Sequence, residues 1–410
     1  MAHDDIALIA EFRESLTEHR YHPAAVQNYC RYAACFLAYL TERKISVDAA
    51  RPKDVSDYVR CAVRRFRKRH DRSPGPYWTN LPISAINGLM RRVQKPWPPE
   101  SVASGPGEAL CRAICTEYQE WLRMKRGLAV ASVSDLMWEA RNFLPWYIER
   151  ATVVSFMELT IQDIDAYFAM RARGLRRRSR KDVAQRLRSL VRYLHCTGRT
   201  PTDLAPQIIA PMLYSYESIP SALSSEQITA VLKTTGEDQS PMGLRDNAIL
   251  QLLTTYGMRD GEITGLRLDD VDWRAEALRI RHSKTGRHSL LPLMEPVGEA
   301  LLNYLRQGRP KTDVREIFIR TRAPYRPLSR VYNEVRRRLE AAGAKPPGKC
   351  GPHTFRHARA VSLLRASVPQ KVIGDLLGHR SPESTIPYLK LATEDLRAIA
   401  LEVPGKEARS

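Results

Sequence analysis

One stretch in the C-terminal half decides the fold class: Ala277-Leu-Arg-Ile-Arg-His-Ser-Lys-Thr-Gly-Arg-His-Ser-Leu-Leu-Pro292. Its two ends, 277–281 and 288–292, are short runs that contain apolar residues, and Gly286 lies between them. Two such runs joined by a tight, glycine-containing turn are typical of a β-hairpin. The surrounding apolar spacing is helical, as over 246–256, so the segment is predicted to be α+β, with a small antiparallel sheet among many helices.

The first helix of this segment has a recognisable start. Ser224 precedes a helical pattern that contains Ile228 and Val231, and Gln227 stands three residues after the serine. A serine and a glutamine at this spacing can each accept a hydrogen bond from the other's backbone N–H group. The pattern therefore predicts a capped helix start at Ser224.

Two proline-rich stretches punctuate the chain of 410 residues. One covers 95–107, and the other covers 200–220 with prolines at 201, 206, 211 and 220. Proline stops helices and biases the preceding residue towards extended backbone, so both stretches are predicted to be linkers. They divide the chain into predicted domains 1–95, 108–200 and 220–410.

The first two segments look like copies of one unit. Phe36-Leu-Ala-Tyr39 in the first corresponds to Phe143-Leu-Pro-Trp146 in the second, and Tyr58 corresponds to Tyr167. The spacing between the two copies is almost the same for both correspondences, with only a small loop difference between them. Apolar residues follow helical spacing in both copies, so each is predicted to be a bundle of four or five helices.

The charge of the chain favours a nucleic-acid partner. It has 65 Lys and Arg against 45 Asp and Glu, a formal charge of +20. A soluble protein this basic most often binds nucleic acid, while an anionic membrane surface and a merely solubilising charge are the alternatives. Each repeated unit carries one basic run at an equivalent place, which predicts contacts with several DNA phosphates. The predicted contact residues are Arg64, Arg65, Arg67, Lys68 and Arg69 in the first run and Arg171, Arg173, Arg176, Arg177, Arg178, Arg180 and Lys181 in the second.

Cysteine usage and hydropathy bear on the compartment, on membrane spans and on metal sites. The seven cysteines are odd in number and scattered, which indicates reduced thiols in a cytosol rather than a disulfide framework. No uncharged apolar run in the sequence is long enough for a membrane span. Cys111 and Cys115 lack a second Cys or His pair at zinc spacing, so neither a metal nor another cofactor is predicted.

The third segment contains side chains suited to phosphodiester cleavage without a metal. That chemistry needs a nucleophile, cations around a phosphorane with extra negative charge, and an acid for the leaving oxygen. Arginine suits the second task because its planar, permanently charged fork donates two hydrogen bonds to phosphate oxygens. The candidates occur in the order Arg259, Glu262, Lys284, His353, Arg356, His379 and Tyr388.

This ordered set resembles the tyrosine recombinase, or phage integrase, family over about 220–395. The resemblance rests on Tyr256-Gly-Met-Arg-Asp-Gly-Glu-Ile-Thr-Gly-Leu266, on Lys284 in the strand turn, and on His353-Thr-Phe-Arg356. It continues downstream with Leu376-Leu-Gly-His379 and then with Tyr388, nine positions after the histidine. Each motif is weak alone. Six residues in this order with compatible spacing are specific together: Arg259, Lys284, His353, Arg356, His379 and Tyr388.

The resemblance implies a role for each candidate. Tyr388 attacks the scissile phosphate, forms a 3′-phosphotyrosyl bond and releases a 5′ hydroxyl, while Arg259 and Arg356 hold the non-bridging oxygens. His379 donates a further hydrogen bond to those oxygens. Lys284 is the acid for the leaving oxygen, His353 assists proton movement at the nucleophile, and Glu262 orients Arg259. The covalent intermediate conserves bond energy, so neither ATP nor a metal is implied.

Every assignment has a structural alternative. Arg259 could cap a helix, Tyr388 could be a packing residue, and Arg287 competes with Lys284 as the turn cation. His353 could start a helix after a proline, and His379 could serve a helix dipole. Pro387 directly precedes the proposed nucleophile, and it fits if it opens the short helix that carries Tyr388.

The resemblance also implies an architecture and partners. The unit at 108–200 takes the place of the family's helical, SAM-like core-binding domain, and the unit at 1–95 is a second SAM-like bundle. The expected partner is double-stranded DNA with inverted half-sites, bound by a homotetramer or together with related recombinases. The expected location is the cytoplasm of a bacterium, associated with the nucleoid. The doubled unit favours integration, excision or transposition of a mobile element.

Three questions stay open in the sequence. The C-terminal apolar stripe, which includes Leu391, Leu396 and Ile399, could dock on a neighbouring subunit or on its own domain. A type IB topoisomerase would use similar chemistry to relax supercoils. A DNA-binding accessory factor with an inactive site would share the fold without cleaving.

Overall fold

The computed structural model describes residues 3–75, 77–99, 103–151, 153–214, 222–282, 288–346, 348 and 350–378. These residues form two compact units. One combines those of Met1–Pro99 with those of Ile219–Ser410, and the other comprises those of Glu100–Ser218. Since the first unit joins the first and third predicted domains, the three-domain division stays a prediction. Across these ranges, no helix is long and apolar enough to cross a membrane.

Four α-helices build the N-terminal part of the first unit: α1 (His3–Glu18), α2 (Pro23–Glu42), α3 (Pro52–His70) and α4 (Asn80–Val93). α2 is central, because it packs against the other three. Its residues Val26, Cys30 and Ala33 recur at helical spacing and enter one core with Phe12 of α1 and Leu89 of α4. The predicted helical bundle is confirmed here, and its SAM-like character stays a prediction.

The second unit contains four more α-helices in its described residues: α5 (Pro106–Met124), α6 (Val130–Arg150), α7 (Ile161–Arg171) and α8 (Arg177–Cys196). Their core is rich in aromatic rings, among them Tyr118, Phe143 and Tyr193. Leu204 and Ile208, which lie in the proline-rich stretch after α8, are also buried in this core. The first part of the predicted linker 200–220 therefore packs against the helices of the second unit.

The two bundles share a ring arrangement that follows the sequence repeat. Phe36 meets Tyr58 edge to face, with ring centroids 5.5 Å apart and planes at 76°. Phe143 meets Tyr167 in the same way, at 5.0 Å and 84°. Such pairs stabilise by about 0.5–1.5 kcal/mol beyond their buried area. Because these four residues correspond in the repeat, their common geometry supports a structural duplication.

A cation–π contact is repeated beside these rings. The guanidinium of Arg43 lies 4.3 Å from the ring centroid of Tyr39, and that of Arg150 lies 4.9 Å from that of Trp146. Both the arginines and the rings occupy equivalent positions in the two copies of the repeat. Each arginine follows its ring by four positions, one helical turn, so the cation covers the outer face of the aromatic cluster.

The C-terminal part of the first unit is mostly helical with a small sheet. Its described elements are α9 (Ser225–Gly236), α10 (Pro241–Tyr256), α11 (Asp260–Thr264), β1 (Val271–Asp272), β2 (Ala277–Arg281), β3 (His288–Pro292), α12 (Glu295–Asn303), α13 (Tyr332–Ala341), α14 (Pro352–Arg365) and α15 (Gln370–Leu376). The strands pair antiparallel in the order β1-β2-β3. Ala277 faces Pro292 and Arg281 faces His288, which confirms the predicted hairpin. Residues 283–287 of its turn lie outside the described residues.

Local chemistry explains the start of α9 and the end of α10. Ser224 Oγ accepts from the Gln227 backbone N–H at 3.3 Å, and Gln227 Oε1 accepts from the Ser224 N–H at 3.0 Å. This confirms the predicted capped start of α9. α10 ends at Gly257, whose φ of 63° lies in the left-handed region that favours glycine. That turn sends the chain directly into Arg259.

Candidate active site

Arg259 is fixed at the junction between α10 and α11. Its backbone N–H donates to Glu262 Oε2 at 2.8 Å, and its Nη1 donates to Glu262 Oε1 at 2.7 Å. Its Nη2 donates to the carbonyl oxygen of Gly378 at 3.0 Å. The side chain is 20% exposed, so solvent still reaches part of it. One carboxylate therefore orients both the backbone and the guanidinium of Arg259.

Glu262 is an ionised carboxylate inside the protein. Its side chain is 2% exposed and accepts hydrogen bonds from Arg259 and from His282. Burial alone raises the pKa of this carboxyl, but the hydrogen bonds from these two residues and the charge of Arg259 outweigh it and hold the pKa below its ordinary value. These contacts hold the Arg259 side chain in place, and the role of Glu262 in catalysis stays a prediction.

Arg356 lies on α14 and is 3% exposed. Its Nη1 donates to the carbonyl oxygen of Gly257 at 2.8 Å, and its Nη2 donates to that of Leu377. A buried guanidinium needs such partners because an uncompensated charge is costly inside a protein. Arg356 thus connects α14 with the end of α10 and the end of α15.

The two arginines converge on one short piece of backbone. Arg259 donates to Gly378 and Arg356 donates to Leu377, so the two guanidinium groups bond consecutive carbonyl oxygens. This piece immediately precedes His379 in the sequence. Arginines from two separate motifs are therefore brought to the backbone of Leu377 and Gly378, inside the Leu376-Leu-Gly-His379 motif.

His353 precedes Arg356 by three positions on the same helix and is exposed. Its ring stacks towards that of His357, with centroids 6.3 Å apart. Burial, together with the neighbouring His353 and Arg356, lowers the pKa of His357 to about 4. His357 is therefore neutral at ordinary pH.

Lys284, His379 and Tyr388 lie outside the described residues, as do Arg287, Pro387 and the C-terminal apolar stripe. Their assignments stay predictions. The described site consists of Arg259, Glu262 and Arg356, with His353 one turn away on α14.

Sequence reasoning missed His282. Its side chain is 4% exposed, and both ring nitrogens have partners: Nδ1 lies 2.8 Å from Glu262 Oε1, and Nε2 lies 2.8 Å from Ser289 Oγ. A signal was present, because Leu278 and Ile280 on β2 are buried and the two-residue period of a strand brings position 282 to the same face.

The sequence of this chain matches a known protein family. Residues 221–395 match the sequence profile of the phage integrase family. Over 401 residues, the chain is 30% identical to "Putative integrase/recombinase y4rA" of Sinorhizobium fredii (strain NBRC 101917 / NGR234), covering 97% of this chain and 94% of that protein. The chain belongs to the phage integrase family. The resemblance inferred from the ordered motifs is thereby confirmed.

Two further comparisons agree with this family. The integrase is 67% identical to "Putative integrase/recombinase y4gC" of the same organism, over 46% of this chain and 98% of that protein. The crystal structure of a lambda integrase tetramer bound to a Holliday junction matches with a TM-score of 0.52 and 18% identity, covering 77% of this chain and 88% of that one. That likeness establishes the fold.

The two basic runs of this integrase differ in their setting. The first, 64–69, lies in the last turns of α3, and all five of its predicted contact residues are exposed. The second leaves α7 at Arg171, passes a turn that contains Gly174 at φ 75°, and enters the first turns of α8. In the second run, Arg171 and Lys181 are the least exposed members, and Arg176, Arg177 and Arg178 are exposed.

The start of α8 is electrostatically unusual. Arg177, Arg178 and Arg180 lie in its first turn or next to it, and no acidic residue is in that turn. Positive charges near a helix N-terminus oppose the helix dipole, at a cost of about 0.3–1 kcal/mol each. An anion such as a phosphate at this end relieves that repulsion.

A buried carboxylate lies next to Arg171, the first residue of the second basic run. Glu139 on α6 is fully buried and accepts a hydrogen bond from the Tyr167 hydroxyl at 2.8 Å. Its oxygens lie 3.7 Å from Arg171 Nε and 3.9 Å from Arg186 Nη1. Sequence reasoning missed Glu139, because an acidic residue inside a helix gives no local signal of burial.

The chemistry of the described side chains gives no metal site. Among them, no group of three or more His, Cys, Asp and Glu residues could hold a metal ion. All seven cysteines are free in the structure, and a reducing compartment stays a prediction.

Proposed function

We propose that this integrase is a site-specific DNA recombinase that cuts and rejoins DNA through a covalent bond to Tyr388. The observation that carries the proposal is the convergence of Arg259 and Arg356 on the consecutive carbonyl oxygens of Leu377 and Gly378. Two fixed guanidinium groups beside the start of the His379 motif supply the positive charge that a phosphorane requires.

The proposed cleavage step uses each predicted residue once. The Tyr388 oxygen attacks the scissile phosphorus, an Oη–P bond forms and the P–O5′ bond breaks. Lys284 gives its proton to the departing 5′ oxygen, and His353 accepts or relays the proton of the tyrosine hydroxyl. Arg259, Arg356 and His379 stabilise the two non-bridging oxygens while the extra charge is present.

The proposed rejoining step reverses this transfer. A 5′ hydroxyl from another strand attacks the phosphotyrosyl phosphorus and its proton passes to Lys284. The P–Oη bond breaks, and His353 returns the proton that it took in cleavage, so that the tyrosine leaves as a phenol. The phosphodiester energy is held in the covalent intermediate throughout, so the exchange needs no ATP. Glu262 contributes by keeping Arg259 oriented through both steps.

The proposed DNA contact rests on charge. The exposed arginines of both runs and the cationic start of α8 suit the phosphate backbone, which gives salt-sensitive and largely sequence-independent affinity. The similar ring clusters of the two bundles support two DNA-gripping modules on one chain. We propose that the substrate is double-stranded DNA with inverted half-sites, bound by four copies. The fold shared with a lambda integrase tetramer on a Holliday junction supports this assembly.

The duplicated bundle favours a mobile-element role, either integration and excision or transposition. Type IB topoisomerase activity is the second candidate, because it would use the same arginine clamp without exchanging partner strands. Relaxation of a supercoiled plasmid that lacks any half-site would favour the topoisomerase. An accessory factor would bind half-sites without forming a covalent adduct.

The test is covalent capture on nicked duplexes that tile the DNA flanking the gene. A nick near the cut makes the fragment that carries the new 5′ hydroxyl short, so that it diffuses away after cleavage. Rejoining is then impossible, and a cleaving enzyme stays attached in an adduct that survives detergent. We expect the wild type to form this adduct and Tyr388→Phe to form none. Tyr332→Phe is the matched control, because Tyr332 is an exposed tyrosine on α13 outside the proposed machinery. An adduct in Tyr388→Phe, or none in the wild type on any duplex, contradicts the proposal.

A further inference from the structure

His282 joins three parts of the first unit at one buried point. It follows β2 directly and reaches Glu262 of α11 through Nδ1 and Ser289 of β3 through Nε2, each at 2.8 Å. Its ring also packs under the chain after α15. A Cβ atom placed on Gly378 would lie 2.5 Å from His282 Cε1, closer than carbon atoms approach each other in proteins. Only a glycine therefore fits above the ring.

The partners define the protonation of the ring. Glu262 is an ionised carboxylate and only accepts hydrogen bonds, so Nδ1 carries the proton and donates to Oε1. In the neutral ring Nε2 is then an acceptor, and the Ser289 hydroxyl donates a hydrogen bond to it. Glu262 thus sets the tautomer, and the Ser289 hydroxyl, which can donate as well as accept, matches it.

The ring acts on the same atoms that orient Arg259. Glu262 Oε1 accepts from both His282 Nδ1 and Arg259 Nη1, and the Gly378 carbonyl that accepts from Arg259 Nη2 belongs to the residue seated on the ring. Both residues that accept hydrogen bonds from the Arg259 guanidinium are therefore in contact with His282.

We propose that His282 is a positioning residue that holds Glu262 and the Gly378 backbone so that Arg259 meets the scissile phosphate. The inference rests on the proposed function, because it concerns how the cleavage site is aligned. His282 itself touches no reacting atom. It acts through the carboxylate and the carbonyl that hold the guanidinium.

Two nearly isosteric variants separate this role from simple packing. His282→Asn keeps a donor at the place of Nδ1 and loses the Ser289 hydrogen bond, whereas His282→Gln keeps a polar group near Nε2 and loses the Glu262 hydrogen bond. We expect single-turnover covalent capture to fall about 10- to 100-fold in His282→Gln and His282→Ala, since misplacing a catalytic group by ~1 Å costs on that order. We expect His282→Asn to restore most of the rate. Half-site binding in a gel shift should stay within about threefold, since the DNA-contacting runs are elsewhere.

A neutral phosphate supplies the decisive readout. A methylphosphonate at the scissile position lacks the charge that Arg259 stabilises, so a defect that acts through Arg259 should shrink on this substrate. Arg259→Ala is the reference, and we expect His282→Gln to follow it, with a loss on the methylphosphonate at least fivefold smaller than on the normal phosphate.

Three results overturn the inference. One is capture by His282→Gln and His282→Ala within about threefold of wild type. Another is an equal loss on both substrates, which would make His282 a packing residue only. The third is a loss in His282→Asn as deep as in His282→Gln. Absence of Tyr388-dependent capture by the wild type is a different result, because it overturns the proposed function and removes this inference with it.

Discussion

Replacing Arg356 with alanine tests whether the buried guanidinium holds the site together. It removes two charge-assisted hydrogen bonds, to the carbonyl oxygens of Gly257 and Leu377, at a residue that is 3% exposed. Bonds to charged groups contribute about 1.5–3 kcal/mol each, so the two sum to about 3–6 kcal/mol. Water entering the vacated space recovers part of this, and about 3 kcal/mol is the expected local loss.

Hydrogen exchange followed by mass spectrometry measures this loss locally. A loss of about 3 kcal/mol raises the opening equilibrium about 150-fold, since each 1.4 kcal/mol is a factor of ten. We expect peptides from α14 and α15 to lose protection by that factor, while peptides from α5 and α8 in the second unit keep theirs. Arg356→Lys can reach one carbonyl with its single ammonium, so we expect about a tenfold loss. A change below threefold in Arg356→Ala would refute the claim that these bonds stabilise the site.

In Arg356→Lys, cleavage should respond more strongly than stability. An ammonium cannot reproduce a two-point hydrogen bond to phosphate oxygens, so we expect Arg356→Lys and Arg356→Ala both to lower covalent capture by about 10²–10³-fold. Arg356→Lys cutting at the wild-type rate would show that the buried arginine is structural only.

Four other predictions concern pH, the second unit, salt and the duplicated bundle. The pKa of His357 falls from 6.5 to about 4 on folding, so the unfolded chain binds the extra proton between those values. Stability should therefore fall as pH drops through this window, and His357→Gln should flatten that part of a urea-unfolding profile. Glu139→Gln should destabilise the second unit by about 2 kcal/mol in the same urea-unfolding assay. This is less than the about 3–5 kcal/mol that breaking a buried ion pair costs, because the arginine partners of Glu139 are about one-quarter exposed. An unchanged unfolding midpoint would contradict this prediction. Replacing all five basic residues of 64–69 with serine should make DNA binding less sensitive to salt. The slope of the logarithm of the DNA-binding constant against the logarithm of the salt concentration should become shallower by about 0.9 for each phosphate that is no longer neutralised. An unchanged slope would exclude that run from the DNA interface. Removing 1–95, which has its own cores, should shorten the footprint on each half-site; a footprint of unchanged length would argue against the second module.

Local patterns predicted most of the secondary structure around the site. The hairpin of β2 and β3 follows from two short apolar runs and a turn, and the start of α9 follows from a serine and a glutamine three residues apart. Both depend on neighbours within the sequence, so a single sequence contains them. The arginines of the site were predictable for another reason, because the order and spacing of the motifs resemble a known family.

Interactions between residues far apart in the sequence were not predictable in this way. The burial of His282 depends on Glu262 and Gly378, which lie in two other motifs of the chain. Glu139 becomes buried because α7 and α8 supply Tyr167, Arg171 and Arg186 around it. The proline-rich stretch after α8 was predicted to be a linker from its composition, yet Ile208 is buried because the bundle offers it an apolar face.

The central claim is that one particular oxygen becomes bonded to DNA, and peptide mapping of the trapped adduct tests it most directly. The adduct formed on a nicked duplex is digested with protease and nuclease, and the peptide that retains a nucleotide is sequenced by mass spectrometry. We expect a single modified peptide, with the 3′ phosphate of the DNA on Tyr388. A nucleotide on any other residue, Tyr332 included, would contradict the proposed chemistry.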